Sequence, residues 1–202
     1  MIQWILASLV CIAPLKAEIT ILAISGSTRE GSYNKKLVAE AARIAREKGA
    51  IVNVVDLKDY PMPLYDEDLE AASGMPTQAK RLRQLMIESD AVIISSPEYN
   101  HSIPGVLKNA LDWCSKDEEG KFSYEPFDGK KFAIMSASPG KKGGAKGLAH
   151  LRDIIADLRG TVLEAQVSVG KANAAFDSKG RLVDSDLTTR LDQEISYLFP
   201  GE

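Results

Sequence analysis

Residues 25–34 read SGSTREGSYN, a turn rich in glycine and hydroxyl groups with a single arginine, set between an apolar run and an amphipathic stretch. A Gly-rich turn leading into a helix presents backbone N–H groups and the positive end of the helix dipole to an anion. Ser27, Thr28, Ser32 and Asn34 add short polar groups, and Arg29 can add a bidentate charged contact. The spacing of Gly26 and Gly31 copies the first part of the triphosphate loop G-x-x-x-x-G-K-[ST], but Ser32 stands where the lysine belongs and Tyr33 where the Ser/Thr belongs. With no lysine for a γ-phosphate and no hydroxyl for its magnesium, the loop suits a terminal monophosphate. A second reading makes it a polar turn in which Ser32 or Asn34 caps the helix.

Two further stretches carry residues of the right type for ligand chemistry. In SSPEYNHSIPGVLKNALDW (95–113), Pro97 and Pro104 fix the backbone at two points, while Tyr99 and Asn100 offer a flat face and amide hydrogen-bonding groups. Such a rigid turn suits recognition of a planar ring. His101 is a candidate proton donor or a surface residue; Trp113 and Cys114 continue a helical apolar stripe and are assigned to packing. In SASPGKKGGAKG (136–147), Gly140, Gly143 and Gly144 permit close backbone approach to a ligand, and Lys141, Lys142 and Lys146 form either a second anion contact or a solvated charge run. The acidic segment 57–76, with Asp66, Glu67, Asp68 and Glu70, lacks the EF-hand pattern and reads as a solvated loop.

These stretches need a frame, and the hydrophobic pattern supplies one. Apolar β-forming runs at 18–25, 51–56, 91–96, 131–138 and 160–169 alternate with segments of helical periodicity, through Leu37–Ala45, Leu82–Ser89, Pro104–Cys114, Leu148–Leu158 and Leu187–Leu198. Five strands alternating with helices predict a parallel sheet covered on both faces, because parallel neighbours need right-handed crossovers. In such sheets ligands bind outside the C-terminal strand ends at the topological switch point. The three stretches follow the first, third and fourth strands, where that crevice must lie.

Composition is that of an ordinary globular domain: 202 residues, 45% hydrophobic and 26% charged. A net charge of −3 lacks the basic footprint of a nucleic-acid binder. Two cysteines and two histidines provide neither a disulfide framework nor a usual zinc site, so no metal is expected.

Taken in order on their strands, SGSTREGSYN, PEYNHSIPGVLKNALDW and SASPGKKGG resemble the NADPH-dependent FMN reductase family of flavodoxin-like proteins, from about residue 19 to the last helix. The resemblance implies a three-layer flavodoxin-like sandwich with strand order 2-1-3-4-5. It implies an FMN phosphate on Ser27, Arg29, Ser32 and Asn34, an isoalloxazine beside Pro97, Glu98, Tyr99 and Asn100, and a ring edge against Ser138 and Gly140. It also implies hydride transfer from NADPH or NADH to flavin N5 and on to a small-molecule acceptor such as free flavin, a quinone, an azo compound or a metal ion. A homodimer or dimer of dimers, with the third helix near the interface, and a cytoplasmic location complete the expectation. Tyr60, Pro63 and Tyr65 are expected to wall the substrate side. The alternative function is a flavodoxin-like electron carrier.

The N-terminal stretch MIQWILASLVCIAPLKAE departs from that pattern. Its apolar run, Ile5 to Ala13, is too short for a membrane span, which takes about 20 residues. It reads either as a signal peptide cleaved after Ala17, implying export, or as a simple apolar extension, although it has no Lys or Arg before the apolar run. Residues 1–17 are therefore set apart from the domain at 18–202.

Overall fold

The computed structural model describes residues 18–201; the signal-like stretch at 1–17 lies outside them. The apolar run after Glu18 forms β1 (Thr20–Ser25), and the turn that follows leads into α1 (Tyr33–Glu47). Strand β2 (Ile51–Asp56) follows, then α2 (Glu67–Ser73), α3 (Thr77–Ile87), β3 (Ala91–Ser95) and α4 (Gly105–Cys114). Next come β4 (Lys131–Ala137), α5 (Ala145–Asp157), β5 (Thr161–Val162), β6 (Val167–Val169) and α6 (Ser185–Ser196).

All strand pairs are parallel, in the order β2-β1-β3-β4-β5, with β6 also on β4. This is the predicted 2-1-3-4-5 sheet. The central strand β3 is buried at every residue, as its unbroken apolar run requires when helices cover both faces. Helices α1 and α6 pack through Leu37, Ala41, Leu191 and Ile195 on one face; α3, α4 and α5 pack through Leu82, Leu107, Leu111 and Leu151 on the other. Edge strand β2 leaves Ile51 and Val54 about half exposed.

Two local readings are corrected. The run 160–169 is not one strand: it pairs with β4 as β5, breaks at 163–166 and pairs again as β6. On β4 only Ala133 and Ile134 separate the two paired stretches, against four residues opposite, so the edge strand carries a two-residue surplus that forces a bulge. The acidic segment is likewise not simply a solvated loop. Asp66 caps α2 by accepting from the N–H groups of Asp68 and Leu69, and Glu70 is buried with the Tyr65 hydroxyl donating to it at 2.9 Å. Capping acids and a solvated acidic run have the same composition; only the packing of Tyr65 edge-on against buried Trp113 separates them. The indole Nε1 of Trp113 donates to Pro63 O at 2.9 Å, so the long loop is held against α4 rather than free.

On β4, Phe132 is fully buried and stacks on Phe127 with ring centroids 6.3 Å apart. Phe132→Ala is expected to cost about 3–5 kcal/mol, the range for deleting a core aromatic ring; urea unfolding monitored by circular dichroism measures it.

Candidate active site

The first loop leaves β1 at Ser25 and crosses close to β3, where Gly26 N–H donates to Ser95 O at 2.8 Å. A methyl group on Gly26 would stand 3.0 Å from Leu107 Cδ2 and 3.4 Å from Ser96 Cα, so a side chain here would be tightly packed and would require Leu107 to shift. Short polar side chains then organise the turn from within. Ser25 Oγ accepts from Ser27 N–H, Ser27 Oγ from Arg29 N–H, and Ser32 Oγ from Asn34 N–H at 3.2 Å. Ser32 is thus the N-cap of α1.

Asn34 is almost fully buried, and its side-chain amide is spoken for. Nδ2 donates to Ala137 O, while Oδ1 accepts from Ala137 N–H and from Ser95 Oγ, each at 2.9 Å. One residue therefore ties the start of α1 to the ends of β3 and β4. Arg29 stays exposed, its guanidinium 5.9 Å from the centroid of the Tyr33 ring, which in turn stacks on Phe176.

The second loop closes on itself: Tyr99 N–H donates to Ser102 O and Ser102 N–H to Tyr99 O. Between them Asn100 (φ 51°) and His101 (φ 67°) both lie in the left-handed region, the pattern of a tight two-residue turn. Glu98 is partly buried and caps α5, its Oε2 accepting from Lys146 N–H at 2.9 Å and Gly147 N–H at 3.0 Å. The Gly147 amide, chiefly, holds the carboxyl below its ordinary pKa, with the His101 side chain and the Lys146 amide acting in the same direction and burial opposing them. His101 Nδ1 is 3.4 Å from Glu98 Oε1.

The third loop is pinned from behind. Ser138 N–H donates to Val169 O, Ala172 N–H to Ser138 O and Lys171 N–H to Gly140 O. A side chain on Gly144 would fall 2.0 Å from Ser136 Oγ, and one on Gly143 within 2.7 Å of the Ser168 backbone. Both glycines adopt positive φ, so the loop's conformation and its packing exclude other residues together.

The three loops meet in one open cleft of 130 Å³ lined by the expected Ser27, Arg29, Ser32, Asn34, Pro97, Glu98, Tyr99 and Ser138. Asn100, His101 and Gly140 are not among its walls: the first two form the tip of the neighbouring turn, and Gly140 lies one residue past the lining Pro139. Tyr33, Ala137 and Pro139 complete the lining and were not singled out in the sequence, although all three sit at the ends of the same motifs. Glu98 is the only carboxylate in the lining, and it is turned into the start of α5. The opposite end combines the hydroxyls of Ser27 and Ser32, Arg29 and the N-terminus of α1. That donor set fits a phosphate, and the Pro97–Tyr99 and Ser138–Pro139 walls fit a flat ring. A larger cavity of 540 Å³ shares no residue with this cleft and carries Glu67, Glu70, Glu118 and Glu119 against the single Lys116, the wrong sign for an anion.

Comparison with known proteins agrees with this geometry. Residues 19–174 match the NADPH-dependent FMN reductase family, and the chain belongs to it. An NAD(P)H-dependent FMN reductase of Pseudomonas aeruginosa is 38% identical over 182 residues, covering 90% of this chain and 94% of that protein. A quinone reductase of Escherichia coli is 30% identical over 187 residues, with 90% and 94% covered. Among solved structures, a flavoenzyme NAD(P)H:(acceptor) oxidoreductase from Paracoccus denitrificans superposes with a TM-score of 0.74 at 27% identity, covering 89% of this chain and 97% of that one. The protein is accordingly an NAD(P)H-dependent flavin oxidoreductase that uses FMN.

The Glu98 cap makes a signed pH prediction. Because the folded carboxyl sits below its ordinary value, its contribution is present above that value and lost as pH falls through the lower, folded one. Thermal unfolding between pH 6 and pH 3 should therefore show a smaller acid-induced loss of Tm in Glu98→Gln than in the parent protein.

Proposed function

We propose that the cleft holds FMN with its phosphate at the first loop and its ring between the second and third, and that reduced nicotinamide and then a small oxidant such as a quinone use the open side in turn. The observation that carries this reading is the convergence of the three motifs on one cleft whose donors are gathered at one end. When bound, FMN supplies the centre that takes up and passes on hydride. The polypeptide's own task is to bind and orient. Ser27, Ser32 and Arg29 contact the phosphate, while Asn34, its amide already engaged, serves by fixing the end of α1 on β3 and β4. Pro97, Glu98 and Tyr99 border the ring on one side, and Asn100, at the tip of the adjoining turn, acts by locking that backbone. Ser138 borders the other side, and Gly140, just past the lining, acts with the backbone N–H groups of the third loop to stabilise negative charge there. His101, 68% exposed, is a candidate proton donor at the turn.

Free quinone, flavin, azo compound and metal ion remain alternative acceptors, and the open cleft is compatible with planar ones most directly. Exposed Leu64 and Tyr99 supply apolar surface for a homodimer, or a dimer of dimers, with α4 near the contact. No helix among the described residues is long and apolar enough to cross a membrane. We assign the protein to the cytoplasm, where reduced nicotinamide is regenerated; N-terminal sequencing of the native protein tests this against export.

The purified protein should be yellow, and its bound flavin should bleach rapidly on mixing with NADPH or NADH in the absence of oxygen. Bleaching only with a protein reductase would replace this reading with that of an electron carrier. Arg29→Ala is expected to weaken FMN binding by about 10- to 100-fold, the range for losing a charged hydrogen bond; fluorescence quenching titration measures it, and unchanged affinity would remove Arg29 from the phosphate site.

A further inference from the structure

Outside the cleft, the most deeply buried carboxyl among the described residues is one that the reaction does not use. Glu194, on α6, has 0% exposure and lies where the edge strand breaks between β5 and β6. The backbone amides of Val167, at the start of β6, and of Ile134, on β4 opposite the break, face its carboxyl, yet neither carboxyl oxygen has a partner at full hydrogen-bonding geometry. A buried polar group of this kind is costly, and persists where the surroundings require it.

Strand β6 also backs the third loop, which leaves β4 at Ala137. Val169 O receives Ser138 N–H at 3.0 Å, and just beyond β6 Lys171 N–H donates to Gly140 O at 3.2 Å. Contact between the two segments leaves no slack: a side chain on Gly143 would meet the Ser168 backbone at 2.7 Å, and one on Gly170 would meet Lys141 O at 2.4 Å. A shift of β6 must move residues 138–144 with it.

We propose that Glu194 is a positioning residue for the 138–144 loop: its carboxyl fills the break in the edge strand, holds β6 on β4, and so sets the loop that borders the cleft. Burial pushes this carboxyl up to about 8, with the Val167 and Ile134 amides and Arg190 opposing the shift. Arg190 lies one turn earlier on α6 and donates to Gln166 O within the break. Charged groups on the adjoining elements are engaged elsewhere. Lys131 of β4 donates to Tyr197 O and Phe199 O, Arg152 of α5 to Leu163 O with Glu164 3.7 Å away, and Lys48, which follows α1, pairs with Asp192. Near neutral pH Glu194 is therefore mainly protonated, a form that can donate as well as accept. The folded protein keeps a proton that the unfolded polypeptide has lost above the ordinary value of 4.5, so stability falls as pH rises from there towards 8.

The test compares the parent protein with Glu194→Gln, which mimics the neutral acid, at pH 6.5 and pH 9. Hydrogen exchange of the 138–144 and 167–172 amides is measured without flavin, each protein against the other at the same pH. At pH 9 the parent should show less protection in both segments than the variant, and that deficit should be roughly tenfold larger than the one at pH 6.5. Equal protection at both pH values would overturn the proposal. Should the variant fail to fold, the parent decides: protection of 138–144 that does not fall relative to β1 between the two pH values overturns it as well. The link to the cofactor rests on the proposed placement of FMN. FMN affinity should fall several-fold from pH 6.5 to pH 9 in the parent and stay level in the variant; a change in loop protection without one in affinity would fault the placement of FMN and leave the positioning role standing.

Discussion

The side-chain amide of Asn34 is the interaction on which the rest of the site depends. A primary amide has two donors and two acceptor lone pairs, and here it meets a backbone N–H, a backbone carbonyl and a serine hydroxyl in one buried place. Those three partners belong to the ends of β3 and β4, while Asn34 itself stands in the first turn of α1. Parallel strands continue from their C-terminal ends into separate crossovers, and here the last backbone ties are Gly26 N–H to Ser95 O and Ser96 N–H to Met135 O. The buried amide adds a side-chain tie just beyond them, and the three cleft-lining loops keep a fixed relation because they spring from the points it joins. Aspartate would keep the acceptors but lose the donor, and set a carboxylate against Ala137 O; leucine would leave the Ala137 and Ser95 groups unsatisfied.

The same region concentrates conformations that an ordinary loop avoids. Of the four described non-glycine residues with positive φ, Asn100 and His101 form the second loop's turn and Lys171 backs the third loop; Arg159, beyond α5, is the exception. Such residues persist where surrounding contacts over-determine them. At Asn100 and His101 the paired bonds between Tyr99 and Ser102 do so, and at Lys171 the bond to Gly140 O. Rigidity is what this chemistry asks of the protein: with the reactive atoms on cofactor and substrates, the polypeptide contributes by holding donors and walls in place beforehand.

Strand order, layer composition and the three motifs were legible in the sequence because each rests on a local signal: apolar β runs, helical spacing and turn residues at strand ends. The break at 163–166 was not legible. GTVLEAQVSV alternates well enough to pass for one strand, and the surplus of two residues exists only relative to β4. Glu194 escaped for a related reason. In SDLTTRLDQEIS it occupies one of many polar positions on an amphipathic helix, and nothing within the helix says that a sheet break lies opposite. Likewise Tyr33, Ala137 and Pro139 have side chains without distinctive ligand chemistry, and only the meeting of strand ends makes them walls.

Some residues have two positions to serve at once. Ser32, read as a helix cap or a phosphate ligand, caps α1 through Asn34 N–H and also lies in the lining of the cleft. Glu98 lines the cleft and commits its carboxylate to the N-terminus of α5. The overlap has a physical cause. A helix N-terminus attracts an anion whether that anion is a side chain or a ligand, so an end that takes one does not need the other. Glu98 satisfies the start of α5 from within the protein, whereas no acidic side chain occupies the first turn of α1 and Ser32, its cap, carries no charge. The start of α1, left without an anion of the protein's own, lies beside Ser27 and Arg29 in the cleft.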